Sequence, residues 1–310
     1  MTKYSVGVSD YLNPWQTPEW NFELKNLGTP WIRNDMQRSS PTSNYGMFIQ
    51  NLKDSGYKWL CIFGKRMKGW GSDDWLPTVD IADWEEQVDW ALANYGHLID
   101  AVEFPNEPDL PQSNFGYMDG TPERVYEMLQ VVYSKVKAYN PSIPVICGAL
   151  GTMRNTQSVP GDYYGGYLLQ SIVDLGANNY CDGYSFHIYK WFLNGYNDLY
   201  SAIDCYDRGK AIIGNKPFWM TEMGINTVAD IPSFENWLTE LYNAGCPFIN
   251  YYSLYVESYS LLNSDLSERP WYTVYKSFIE IAPPEPEPTI PLWIIIPTVI
   301  GLGLLFIKRK

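Results

Sequence analysis

Short unbroken apolar runs recur along this chain, bounded by Gly, Pro or charged residues, with amphipathic stretches between most of them. Eight runs stand out: Tyr4–Val8, Trp31–Arg33, Trp59–Phe63, Ile99–Phe104, Ile143–Cys147, Gly183–Phe186, Phe218–Thr221 and Phe248–Tyr252. A strand with one wet face alternates apolar and polar residues. A continuous apolar run is buried on both faces, as in a parallel sheet covered by helices. The intervening stretches have the helical period instead. Trp84, Val88, Ala91, Leu92 and Tyr95 share one face, as do Phe234, Trp237, Leu238 and Leu241. Thr121 followed by Pro122 reads as a helix cap with proline at the first helical position. The helix it opens carries Val125, Met128, Leu129, Val132 and Val136 as its stripe. A further helix is expected after the second run. Eightfold strand–helix alternation predicts an α/β fold, a single (β/α)8 TIM barrel over residues 1–282, where roughly 250 residues are typical.

The pattern changes after residue 282. Residues 283–291, rich in Pro and Glu, read as a stiff extended linker. Residues 292–310 follow, apolar from Leu292 to Ile307 and closed by Lys308, Arg309 and Lys310. With Pro291 this makes 17 residues, the short end of what spans a bilayer as a helix. The proline-rich spacer before it and the basic stop after it predict a carboxyl-terminal transmembrane helix, a membrane anchor with a basic tail. Basic flanks stay in the cytoplasm, which puts the body outside, although no signal peptide is visible at the start.

In such a barrel the functional groups gather at the carboxyl ends of the strands. Those ends carry Arg33 after the second run, Asn106 and Glu107 after the fourth, His187 and Tyr189 after the sixth, and Glu222 after the seventh. Two strand-end glutamates are what a retaining glycosidase needs, one as proton donor and one as nucleophile. Glu107 is the expected acid/base and Glu222 the expected nucleophile. Arg33 could supply positive charge, Tyr189 a hydrogen bond, and Asn106 a grip on a sugar hydroxyl. A glutamate beside proline can also merely favour a helix amino terminus, and His187 can be a buried structural histidine. The presence of two glutamates and an arginine on one rim argues for chemistry.

Composition sharpens this in three ways. Aromatic residues make up 16% of the chain, with 13 Trp and 25 Tyr, more than core packing calls for and suited to stacking on sugars. Trp15, Trp70, Trp75 and Trp191 fall on the expected active-site rim. The net charge of −13, despite a basic tail, repels phosphate backbones and excludes nucleic acid as a partner. Two histidines and five scattered cysteines argue against a histidine-rich metal site and a disulfide framework. His97, before the fourth strand, falls at the opposite end of the barrel. Asp73 and Asp74 read as solvated loop charges. No metal or organic cofactor is expected, and the partner is a carbohydrate substrate.

Four motifs in this order resemble the clan A glycoside hydrolases, retaining (β/α)8 enzymes with catalytic glutamates after strands four and seven. Asn106-Glu107-Pro108 is similar to the clan's acid/base motif and Trp219-Met220-Thr221-Glu222-Met223-Gly224 to its nucleophile strand. Arg33 resembles the strand-two arginine, and His187-Ile188-Tyr189 the strand-six pair. Families 5 and 39 look nearest. The resemblance implies substrate contacts for Asn106, Arg33, His187 and Tyr189. Trp191, Trp70 and Tyr252 are further expected sugar-binding residues. Two positions depart from the pattern. Gly64-Lys65-Arg66 stands where the clan often has a histidine after strand three. Tyr252 or Tyr255 stands near its usual strand-eight tryptophan. Alternatives on the same barrel are a transglycosylase, an inactive surface carbohydrate-binding protein, and a membrane-assembly scaffold.

Overall fold

A computed structural model describes residues 5–9, 24–64, 80–109, 121–151, 165–189, 201–254 and 259–281. Eight strands run in parallel around a closed barrel in sequence order: β1 (Ser5–Ser9), β2 (Trp31–Asp35), β3 (Lys58–Ile62), β4 (Ala101–Phe104), β5 (Val145–Leu150), β6 (Gly183–Tyr189), β7 (Phe218–Gly224) and β8 (Phe248–Tyr252). Closure is made by β1 on β8, in register from Ser5↔Phe248 to Ser9↔Tyr252. Helices α1 (Asn44–Asp54), α2 (Ile81–Tyr95), α3 (Pro122–Tyr139), α4 (Gly165–Asp174), α5 (Ala202–Ile213), α6 (Ile231–Asn243) and α7 (Pro270–Ile281) alternate with the strands. This is the expected TIM barrel.

The helices form where the stripes say they should. In α3, Thr121 Oγ1 accepts from Arg124 N–H, Pro122 opens the first turn, and Val125, Met128, Leu129, Val132 and Val136 are buried. In α2 the buried face is Trp84, Gln87, Val88, Ala91, Leu92 and Tyr95. Gln87 interrupts the apolar stripe because Arg38 Nη1 donates to its Oε1 at 2.6 Å, which satisfies the buried amide.

Ring contacts show which strand residues point outward. Trp84 of α2 lies 5.2 Å from Phe104, Tyr206 of α5 lies 6.4 Å from Phe186, and Phe234 of α6 lies 5.4 Å from Tyr251. Strand side chains alternate faces, so Glu103, His187 and Asn250 point into the barrel. Trp31, Leu60, Ala101 and Phe248, with Trp219 packed against them, form an apolar plug at the amino-terminal end of the interior. Above it lies a polar layer. There Gly7 is required, because a Cβ at that position would fall 2.5 Å from Asn250 Oδ1. Tyr275 of α7 ties the closure together by donating to the Gly7 and Ile249 carbonyls.

Several strands end later than the apolar runs suggest, among them β2, which continues to Asp35, β5 to Leu150, β6 to Tyr189 and β7 to Gly224. In β6 and β7 the added residues include the inward-facing His187, Tyr189 and Glu222, and pairing continues past the predicted ends (His187↔Glu222, Tyr189↔Gly224).

The membrane anchor and the localisation drawn from it are corrected. Among the described residues no helix is long and apolar enough to cross a membrane. The longest, α3 at 18 residues, is amphipathic, with Glu123, Arg124 and Lys137 on it. Residues 283–310 lie outside the described residues. In sequence, Pro291 to Ile307 is only 17 residues. As a helix that would rise about 25 Å against a hydrocarbon core of about 30 Å. Pro297, Gly301 and Gly303 also interrupt it.

Candidate active site

Arg33, on β2, is 1% exposed and carries its charge into the barrel. A buried guanidinium must be neutralised and its donors satisfied. Its Nε and Nη2 both reach Glu103 Oε2 at 2.6 Å. Nη1 donates to Glu222 Oε1 at 2.5 Å, and Nη2 donates to Asn106 Oδ1 at 2.7 Å. One arginine from β2 thus joins the carboxyl ends of β4 and β7.

Glu107 sits just past β4 on a left-handed residue (φ 48°). A non-glycine residue pays steric energy for that conformation and needs its surroundings to hold it. Glu107 N–H donates to Ala149 O at 2.9 Å, and Ala149 N–H donates to Ser185 Oγ at 2.7 Å. Asp109 Oδ1 accepts from Gly151 N–H at 2.8 Å, pinning the same turn to the exit of β5. The Glu107 carboxylate then faces His187, with Oε1 2.9 Å from Nδ1.

His187 selects its own tautomer through its neighbours. Burial lowers its pKa to about 4, so the ring is neutral near pH 7. Nε2 lies 3.4 Å from Arg33 Nη2, which can only donate, so Nε2 is the unprotonated nitrogen. The Nδ1–H is left facing Glu107 Oε1. Nδ1 is also 3.5 Å from Glu222 Oε2, so the imidazole stands between the two acids.

Glu222 is supported differently. Besides Arg33, the Tyr189 hydroxyl donates to its Oε2. Tyr189 in turn packs edge-on against Tyr252 and Tyr259, at 5.9 and 5.1 Å. Gly224 makes room for this, since a Cβ there would lie 3.1 Å from Tyr189 Cε1, Tyr252 O and Tyr259 Cβ. Gly224→Ala is expected to lose roughly 1–3 kcal/mol through overpacking. Urea unfolding measures it, and an unchanged midpoint would show that the three groups yield freely.

Burial raises the carboxyls of both Glu107 and Glu222. For Glu107 it wins over Arg33, with Glu103 adding to it, and the pKa reaches about 7. For Glu222 the neighbouring His187, Arg33 and Tyr189 oppose burial, while Glu107 reinforces it. Among the described residues, Glu222 holds a guanidinium and a phenol, and Glu107 a neutral imidazole. The first proton to leave the pair is therefore that of Glu222. Glu107, His187 and Glu222 bring one ligand atom each within 4.8 Å of one another, a spacing a cation could use. The guanidinium already bonded to Glu222 opposes a second positive charge there.

The structure brings Arg33, Asn106, Glu107, His187, Tyr189 and Glu222 together, and Tyr252 joins them through the Tyr189 ring. Trp70 and Trp191 lie outside the described residues, as do Trp15, Trp75 and Tyr255. Three participants were not anticipated: Glu103, Ser185 and Tyr259. The demand of Arg33 for a partner was the one available signal; the Ile99–Phe104 run holds two acids, Asp100 at its start and Glu103 near its carboxyl end.

An eight-stranded parallel barrel with paired acids at its carboxyl rim defines a class of architecture, and several glycoside hydrolases of solved structure share its fold. A family 39 glycoside hydrolase from the gut symbiont Bacteroides cellulosilyticus WH2 matches with TM-score 0.63 at 20% identity, over 90% of this chain and 64% of that one. A glucosidase from Croceicoccus marinus matches with TM-score 0.67 at 13% identity, over 90% of this chain and 68% of that one. A family 30 subfamily 8 xylanase from Clostridium acetobutylicum matches with TM-score 0.64 at 12% identity, over 90% and 72%. At these identities the likeness establishes the fold alone. The chain spans a little under two thirds of the family 39 structure. No protein-family model matches the sequence, and neither does any curated protein.

Proposed function

We propose that the protein is a retaining β-glycoside hydrolase acting on an oligo- or polysaccharide by double displacement. The observation that carries the reading is the spacing of the two acids. Carboxyl oxygens of Glu107 and Glu222 approach within 4.8 Å. Retaining enzymes hold their carboxyls about 5–5.5 Å apart, whereas inverting ones leave about 6.5–9.5 Å for a water. The glycosidase folds described above point to the same substrate class.

In the first step Glu222 attacks the anomeric carbon and Glu107 gives its proton to the departing glycosidic oxygen. The products are a glycosyl ester on Glu222 and a free alcohol. In the second, Glu107, now a carboxylate, takes a proton from water as that water attacks the anomeric carbon. The ester bond breaks, Glu222 leaves as carboxylate, and Glu107 is again protonated. Arg33 and Tyr189 keep Glu222 charged before attack and accept it back as leaving group. Asn106 spends its carbonyl on Arg33, which leaves its NH2 to hold a sugar hydroxyl. Tyr252 takes the place of a stacking platform. The scheme uses only side chains and water.

Activity should fall as pH rises through about 7, where Glu107 loses the proton it must donate. Glu107→Gln is expected to lower kcat by roughly 10²–10⁴-fold on substrates with poor leaving groups. On dinitrophenyl glycosides, whose leaving group needs no proton, bond cleavage should be nearly spared and the alkaline limb lost. A uniform loss on both substrate types would remove Glu107 from the acid role. The reading as a whole is tested by proton NMR of the first-formed product: β anomer supports it, and α anomer from a β-glycoside rules it out.

A further inference from the structure

We propose that Glu103 is a positioning residue for the reaction: its carboxylate aims Arg33 at Glu222 and holds, through Ser185, the turn that carries Glu107. The proposal rests on the retaining reading and adds a third acid to it. Glu103 is fully buried and lies too deep in β4 to touch a sugar. Its Oε2 takes both Nε and Nη2 of Arg33, which leaves Nη1 as the end directed at Glu222. Its Oε1 accepts the Ser185 hydroxyl at 2.7 Å. Ser185 Oγ then accepts Ala149 N–H, and the Ala149 carbonyl accepts Glu107 N–H. One carboxylate thus connects both acids, the nucleophile through a guanidinium and the acid/base through a hydroxyl and a backbone turn.

Charge gives the arrangement a second consequence. Among the described elements, Glu107 is faced by Arg33 from β2, Glu103 from β4, His187 and Tyr189 from β6, and Glu222 from β7. With Arg33 bound to Glu222 alone, the site around Glu107 would be neutral, and the guanidinium would draw the Glu107 proton off. Glu103 adds the negative charge that makes the trio net anionic. An anionic surrounding keeps Glu107 protonated at the pH where a general acid must hold its proton.

The test compares three variants by kcat, KM and pH profile on an aryl β-glycoside. Glu103→Gln removes the charge at constant size: the alkaline limb should move down by about one pH unit, with kcat falling and KM little changed. Glu103→Asp keeps the charge but is too short for both contacts. Its limb should stay in place while kcat falls by roughly 10-fold or more. Ser185→Ala removes the hydroxyl that joins Glu103 Oε1 to Ala149 N–H but leaves the charge of Glu103 and its contact with Arg33, and should lower kcat with the limb fixed. A purely structural Glu103 would instead lower the amount of folded protein in all three with one shared pH profile. That result overturns the proposal, as does an unchanged profile in Glu103→Gln. Carbon-13 NMR of the Glu107 carboxyl, assigned with Glu107→Gln, reads the same titration without turnover. A wild-type protein that cleaves no glycoside would sink the retaining reading. An unmoved Glu107 titration in Glu103→Gln would sink this one. Should Glu103→Gln fail to fold, Ser185→Ala decides: a lowered kcat at constant KM supports the role, and wild-type kcat overturns it.

Discussion

Glu222→Ala should abolish turnover, lowering kcat by at least about 10⁴-fold, or about 5.4 kcal/mol of transition-state stabilisation at 1.36 kcal/mol per decade. The size follows from what is lost. Without the carboxylate there is no covalent intermediate, and the oxocarbenium-like centre develops opposite an empty methyl. The loss should be nearly independent of leaving group, unlike that in Glu107→Gln, because the nucleophile takes part in both steps. Removing the side chain also makes room beside Arg33 and Tyr189, which bonded it. A small anion such as azide can enter there, next to the guanidinium, and attack the anomeric carbon in its place. It should restore part of the rate and release an α-glycosyl azide from a β-glycoside. Recovery of a β-azide would instead place the anion on the Glu107 side and assign the nucleophile to the wrong acid. Activity within 10-fold of wild type would remove Glu222 from the mechanism altogether.

Arg33→Met carries the largest expected effect on stability. It fills similar volume but strips the counter-ion from two buried carboxylates, Glu103 and Glu222. Breaking a buried pair from one side costs about 3–5 kcal/mol, a large fraction of the roughly 5–15 kcal/mol that holds a domain folded. The thermal midpoint should drop by roughly 10 °C for a barrel of this size. The deficit has a pH signature whose sign is set by Glu222. Burial already raises that carboxyl above its ordinary value. Loss of Arg33 raises it further, so the folded state binds more protons than the unfolded one. Stability of the variant then falls as pH rises from the ordinary carboxyl range toward neutrality. Melting curves at pH 5 and pH 8 measure it. A deficit smaller at pH 5 is expected, and equal deficits would mean the loss is one of packing.

The barrel was legible because its strands are covered on both sides, so hydrophobicity alone marks them. Their carboxyl ends were harder to place. Hydrophobicity fades where the side chains turn toward the site, although backbone pairing runs on through His187, Tyr189 and Glu222. Arg33, Asn106, Glu107 and Glu222 could be picked out because each is a polar residue at the end of an apolar run. Glu103 could not, because it sits inside such a run, and a period-two reading was needed to see that it faces inward. Ser185 carries no distinctive pattern at all, since a small hydroxyl in a strand is ordinary until its partners are known. Tyr259 comes from beyond β8 and reaches Tyr189 only through the space left by Gly224.

The central claim is that Glu222 becomes covalently bonded to sugar. Incubating the protein with a panel of 2-deoxy-2-fluoro-β-glycosides, whose fluorine slows release of the ester, tests it most directly. Intact mass and peptide mapping then locate any adduct. The account predicts one glycosyl unit on Glu222, absent from Glu222→Gln, with the sugar that the protein turns over. An adduct on another residue, or turnover of that sugar with Glu222 never labelled, would contradict it.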